Sequence, residues 1–208
     1  MPKDDFHPLY QELTGNFPFR WQERLFNLLR HQPPENWPTH VDLPTGLGKT
    51  SVIHLWLIAL IQQMSIGDVR LPRRLVYVVD RRTVVDQATA IAEGIKKKVD
   101  DNHSLLGGPI SVSTLRGQYA DNRNWVVDPS RPAIIVGTVD MIGSRLLFSG
   151  YRSSYKSRPL DAGLLGQDSL LVLDEAHLSE PFAKLTRSIE KLGQKTGEKT
   201  ALPLKVIY

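Results

Sequence analysis

"LPTGLGKT", residues 43–50, separates an apolar run from a long helical pattern. A phosphate-binding loop reads glycine, four residues, then Gly-Lys-Ser/Thr. Gly48, Lys49 and Thr50 fit that pattern, whereas Leu43 stands where the first glycine belongs. Gly46 and Gly48 allow a sharp turn that brings backbone N–H groups up to phosphate oxygens. Lys49 reaches the outer phosphates as a point charge, and Thr50 offers a hydroxyl to Mg2+. The helix that follows adds the partial positive charge of its N-terminus. A plain strand-to-helix turn containing Gly-Lys-Thr is the competing explanation, and the surrounding pattern has to decide between them.

That pattern repeats along the chain. "THVDLP" (39–44) precedes the loop and a helix predicted from Lys49 to about Met64. "RLVYVVD" (74–80) precedes a helix from about Thr83 to Lys98, and "PAIIVGT" (132–138) one running through about Leu147. "SLLVLDEAH" (169–177) leads into "LSEPFAKLT", while "LPLKVIY" (202–208) and the shorter "ISVSTL" (110–115) read as further strands. Strands that are apolar throughout and alternate with helices predict an α/β fold, a mostly parallel sheet covered on both faces. Ligands of such sheets bind beyond the carboxyl ends of the strands. Upstream, "RWQERLFNLLRHQ" puts Trp21, Leu25, Leu28 and Leu29 on one helical face, and "PPENWP" breaks that helix. The opening residues, with prolines at positions 2, 8 and 18, read as coil. The division expected is an N-terminal segment, 1–37, and a main domain, 38–208. The final residues read as a strand with nothing covering it, as expected of a truncated chain.

Composition sets outer bounds. The 208 residues suffice for a full domain core, and 41% hydrophobic with 23% charged residues is ordinary for a globular protein. Without cysteine there is neither a disulfide framework nor a thiolate metal site, which suits a cytoplasmic location. The longest apolar stretch, "SVIHLWLIALI", is about half of the roughly 20 residues a membrane span needs. The net charge of +4 is uneven: residues 144–160, "SRLLFSGYRSSYKSRPL", carry Arg145, Arg152, Lys156 and Arg158 with no acid among them. A basic run with interleaved aromatics suits nucleic-acid contact, and equally a solvated surface loop.

A second chemical cluster lies in "LLVLDEAH", 170–177, with adjacent carboxylates at a strand end. Asp174 is placed to hold Mg2+, and Glu175 to orient and deprotonate an attacking water. His177, three residues after Asp174, is a candidate for coupling nucleotide state to the rest of the molecule. Taken alone, Asp-Glu-Ala-His also fits a helix N-terminus stabilised by its acids; the upstream loop favours the catalytic reading.

Together these stretches resemble the first RecA-like motor domain of superfamily-two helicases of the DEAH-box kind. That superfamily often carries a non-glycine residue at the loop's first position and favours "PTG-x-GKT". The resemblance covers nearly the whole chain and implies a P-loop NTPase using ATP and Mg2+, with Thr45, Gly46, Leu47, Gly48, Lys49 and Thr50 around the phosphates. "FRWQ", 19–22, looks like an adenine-recognition motif, with Gln22 reading the base edge and Phe19 or Trp21 packing near the ring; a helix-start cap is its plainer role. "VVDRRTVVDQ", 78–87, is similar to a motif that contacts the nucleic-acid backbone through Arg81, Arg82 and Gln87. "VGTVDMI", 136–142, is similar to the next strand-end motif, with Thr138 and Asp140 facing the same groove. Ordinary turn and cap chemistry accounts for both equally well.

Within the superfamily, "VDRRTVVDQA", "GTVDMIGSRLLFSGY" and "DAGLLGQDSLLVLDEAHLSEPF" look like the helicase of type I CRISPR-Cas systems. That likeness implies a motor on single-stranded DNA, recruited by the CRISPR surveillance complex in antiviral defence, with a second RecA-like lobe in the full-length chain. In that family the motor is often joined to an HD nuclease, yet none of the six histidines here is followed by Asp. Another superfamily-two machine, a restriction-enzyme translocase or RNA helicase, and a binding module inactive without a second lobe are the alternatives.

Overall fold

Five of the apolar runs form a single parallel sheet. The computed structural model describes residues 6–44, 46–102, 106, 108–116, 123–151, 153–195 and 202–208. The strands are β1 (Arg74–Val79), β2 (Ser111–Leu115), β3 (Ala133–Thr138), β4 (Ser169–Leu173) and β5 (Lys205–Ile207). They lie in the order β2-β3-β1-β4-β5, and every adjacent pair is parallel. β1, β3 and β4 are buried along their whole length, which is why they read as unbroken apolar runs rather than as alternations. Register pairs Val79 with Thr138 and Val78 with Leu173, so the carboxyl ends of these three strands finish level.

Alternate residues of each strand feed two cores. On one face Leu75, Tyr77 and Val79 pack with α1 (Phe6–Thr14), α2 (Arg20–His31), α3 (Val52–Ile66) and α4 (Arg82–Asp101). On the other, Val76 and Val78 pack with α5 (Asn124–Val127), α6 (Val139–Leu146), α7 (Arg158–Gly166) and α8 (Glu180–Lys195). α3 is apolar almost all round because it is enclosed, with α1 and α2 outside it and the sheet beneath. Each Leu or Ile it buries contributes roughly 1.5–3 kcal/mol. Among the described residues no helix is long and apolar enough to cross a membrane.

Three expectations change. The opening is not coil: α1 begins at Phe6, and Pro8 sits in its first turn, where its missing N–H costs nothing. Phe6, Tyr10 and Leu13 form its buried stripe, and the Phe6 ring stacks on Phe26 at 4.1 Å. The run 39–44 is extended but forms no ladder of its own. Val41 N–H donates to Tyr208 O at 2.7 Å and Tyr208 N–H to Thr39 O at 2.9 Å, which seats it beside the end of β5. Pro38 and Pro44 bracket it and lack the donors a longer ladder needs.

The third change concerns the basic stretch 144–160, expected to contact nucleic acid or to form a solvated surface loop beyond about Leu147. Its ends belong to α6 and α7, and Arg145 is 3% exposed. Arg145 donates to Met141 O at 3.1 Å and lies 3.9 Å from Asp161, a wholly buried carboxylate that also accepts from Arg123 (2.7 Å) and Ser153 (2.7 Å). Arg145 is a structural cation.

His54 is the one titratable group within α3. Burial, with the Lys98 charge adding to it, lowers its imidazole from 6.5 to about 4. The folded state therefore takes up this proton later than the unfolded chain does. Its contribution is complete above pH 6.5 and is lost as pH falls toward 4, by roughly 2 kcal/mol at pH 5. His54→Gln, which cannot titrate, should flatten the fall in unfolding free energy between pH 7 and 5. An unchanged pH profile in urea melts would contradict that assignment.

Candidate active site

The loop of residues 43–48 follows the extended edge segment, and its two glycines are needed for their backbone. Gly46 and Gly48 have φ of +86° and +71°, a region that side-chain-bearing residues rarely enter. Gly48 opens a 3-10 turn, Lys49–Ser51, which runs into α3 at Val52. Helix geometry thus starts at Lys49 as expected, with a tighter first turn.

Across the sheet end, β4 delivers the two carboxylates. Lys49 Nζ lies 3.2 Å from Glu175 Oε1, joining residues 126 positions apart. Glu175 Oε2 is 3.5 Å from His177 Nδ1, so one carboxylate sits between a lysine and an exposed imidazole. Glu175 has φ of +53°, a left-handed conformation that costs a non-glycine residue on the order of 1–3 kcal/mol. The turn holding it is closed by Leu178 N–H donating to Glu175 O at 2.9 Å.

Asp174 is anchored from below. Its Oδ2 accepts a 2.9 Å hydrogen bond from Tyr77 OH, in the middle of β1. Burial pushes the Tyr77 phenol well above its usual range, and the charges of Asp174 and Glu175 push it further, against a hydrogen bond with Thr50. The phenol therefore stays a neutral donor. Sequence reading passed over Tyr77, although a tyrosine inside an otherwise aliphatic buried strand signals a hydroxyl with a partner.

Tyr77 bonds Asp174 and its phenol is also influenced by Thr50, so the two oxygen donors proposed for Mg2+ share one neighbourhood. Among the described residues no group of three or more His, Cys, Asp or Glu could hold a metal. A pair of hard oxygens fits magnesium, which takes few protein ligands and is completed by phosphate oxygens and water.

Two cavities flank the loop. One of about 430 Å³ is lined by Trp21, His40, Lys49, Tyr77, Asp174 and Glu175. The other, about 720 Å³, is lined by Phe17, Phe19, Gln22, Gly48, Thr50 and His54. Phe19 and Gln22 are thereby brought to the glycine loop, with Phe17 (73% exposed) beside them, a ring the motif reading missed. Trp21 turns the other way and donates its indole N–H to Leu47 O at 3.2 Å, bracing the loop.

Gln22 is 2% exposed and heavily engaged. Its Oε1 accepts from Phe19 N–H (2.7 Å) and Tyr10 OH (2.9 Å), and its Nε2 donates to Ser51 Oγ (2.7 Å). In this arrangement it links the start of α2 to the turn after the loop, and one Nε2 hydrogen is left for a base edge. The plainer capping role is therefore present, alongside any role in reading a base.

Arg81 and Arg82 lie at the carboxyl end of β1, exposed, where α4 begins; Gln87 is exposed on its second turn. Thr138 ends β3 and precedes α6, and Asp140 is exposed in that helix's first turn. All but Gln87 stand at the same edge of the sheet as Glu175. Lys156 and Arg158 do not: α6 intervenes, about 12 Å long at 1.5 Å per residue. Lys156 is exposed, and the Arg158 guanidinium lies 5.9 Å from the Tyr155 ring centroid. Thr45 and Arg152 fall outside the described residues.

The family model described as DEAD/DEAH box helicase matches residues 20–202. No curated protein matches the chain.

Proposed function

Because the chain belongs to the DEAD/DEAH box helicase family, we propose that it is a DEAH-type ATP-hydrolysing lobe of a motor on single-stranded DNA. The observation that carries this reading is the meeting of Lys49, Asp174 and Glu175 at the carboxyl ends of the sheet. Residues 38–208 would form the lobe, with 1–37 supplying the nucleoside-facing Phe19 and Gln22. In the narrower form, the motor is the helicase of a type I CRISPR-Cas system, cytoplasmic and recruited to target DNA by the surveillance complex. Its support is the likeness of residues 79–88, 137–151 and 161–182 to that helicase.

The chain's own groups suggest the sequence of events. The outer phosphates of ATP take Lys49 from Glu175, since a phosphate dianion outbids a single carboxylate. Glu175, freed, accepts a proton from the water that attacks the terminal phosphorus. Thr50 and Asp174 would hold Mg2+, which supplies charge neutralisation on those phosphates. Gly46, Leu47 and Gly48 would present backbone donors, a role the motif also gives to Thr45, and the purine would take the groove beside Phe17 and Phe19. His177, against Glu175, would report the occupied state outward. A second RecA-like lobe would close over this edge, because separating strands requires two bodies moving on one strand.

Arg81, Arg82, Gln87, Thr138 and Asp140 give the polynucleotide track in this reading. Residues 147–158 would extend it only along the length of α6, to the far end of that helix, with Tyr151 (65% exposed) and Tyr155 (84% exposed) stacking on bases at roughly 1–3 kcal/mol each. Replacing Arg152, Lys156 and Arg158 together should weaken single-stranded DNA binding and reduce its salt slope by about 2, for three phosphate contacts at roughly 0.7 each. ATP affinity should be unchanged. Wild-type DNA affinity with the same salt slope would remove this stretch from the track.

A further inference from the structure

Two turns stand side by side at the carboxyl ends of neighbouring strands. One, Asp80 with Arg81, leads from β1 into α4; the other, from Asp174 to Ser179, leads from β4 into α8. Asp174 N–H donates to Val78 O at 2.9 Å, so the strands are still paired where the turns begin. Beyond that point the turns separate around a cleft of about 380 Å³ lined by Asp80, Arg81, Glu175 and His177. A side-chain hydrogen bond spans the pair: Ser179 Oγ donates to Asp80 Oδ1 at 3.3 Å.

The placing of Ser179 is informative. It stands immediately before α8, and its carbonyl accepts the Ala183 N–H at 3.0 Å. A serine there ordinarily turns its hydroxyl onto the helix's own free N–H groups. This one, 7% exposed, reaches across to the other turn instead. From Ser179 the turn is closed by backbone hydrogen bonds that reach back to the main chain of Glu175, Ser179 N–H to Ala176 O (3.1 Å) and Leu178 N–H to Glu175 O (2.9 Å). Glu175 itself has the left-handed backbone, which a small displacement of this turn would release. On the other side, Asp80 directly precedes Arg81 and Arg82.

We propose that the Asp80–Ser179 hydrogen bond is a positioning link, through which a polynucleotide held at Arg81 and Arg82 sets the orientation of Glu175. The inference rests on the motor reading above. Phosphates drawn to the two arginines fix the β1 turn; Asp80, joined to it, fixes Ser179; the closed turn then holds Glu175 in its strained, productive conformation. Neither Asp80 nor Ser179 is among the residues assigned to ATP or Mg2+, so the link acts on the stimulated rate and leaves the basal one alone.

The test is ATP hydrolysis by the complete protein, with and without oligothymidylate, for wild type, Asp80→Ala, Ser179→Ala, the double variant and Ser179→Thr. Each alanine variant should lower the stimulated kcat about tenfold, as for one hydrogen bond to a charged acceptor. Basal rate and KM for ATP should stay within about twofold, the double should fall no further than the singles, and Ser179→Thr should restore stimulation. Basal and stimulated rates falling in parallel would overturn the link in favour of a purely structural helix start. Multiplicative single effects, or stimulation intact in the alanine variants, would overturn it as well while leaving the motor reading standing. A wild type that hydrolyses ATP without any stimulation would overturn both.

Discussion

In the complete protein, Glu175→Gln should lower ATP turnover by roughly 10²–10⁴ while ATP affinity holds or rises. Glutamine keeps the shape and reach of the side chain but cannot take the proton of the attacking water. It also gives up the charge that lies 3.2 Å from Lys49, so the phosphates meet a lysine with no competing partner. ATP should therefore accumulate on the enzyme unhydrolysed. Affinity and turnover are measured separately, by equilibrium binding and by single-turnover hydrolysis. Equal losses in both would reassign Glu175 to binding, or to maintaining the left-handed turn at φ +53°.

Lys49→Ala should differ in kind. Its ammonium is the only side-chain cation placed by this fold against both the glycine loop and Glu175, among the described residues. Removing it leaves the outer phosphates without their point charge and Glu175 without its partner. Affinity and turnover should fall together, turnover by on the order of 10²–10³, as when one preorganised donor to a transition-state oxygen is removed. Lys49→Arg should not rescue fully, because a planar fork does not replace a compact ammonium in a cradle of backbone N–H groups.

Much of this arrangement is legible in the chain. Buried parallel strands are apolar on both faces, so 74–79, 133–138 and 169–173 stand out without any knowledge of their neighbours. Glu175 is legible because it falls at the end of β4, and Lys49 because it sits in a Gly-Lys-Thr turn between an extended run and a helix, although that run joins the sheet only through two hydrogen bonds beside Tyr208. What escaped depends on particular pairings. Tyr77 looks like one more core residue until β1 and β4 lie side by side and its hydroxyl finds Asp174. Arg145 counts as a surface cation until α7 folds Asp161 back beneath it. Gln22 suits a base-reading role by motif, yet most of its amide is taken up by Phe19, Tyr10 and Ser51, the second of which needs α1 in place. α1 itself was hidden by Pro8, which breaks a helix interior but not a first turn.

Hydrolysis of ATP at one edge of this sheet is expected to answer to a polynucleotide. The rate of ATP hydrolysis by the complete protein, wild type beside Lys49→Ala, with and without single-stranded DNA, tests it most directly. The wild-type rate should rise about tenfold or more with DNA, and the Lys49→Ala rate should stay near background in both conditions. Hydrolysis that persists in Lys49→Ala, or a wild type that neither binds nor turns over ATP, would contradict it.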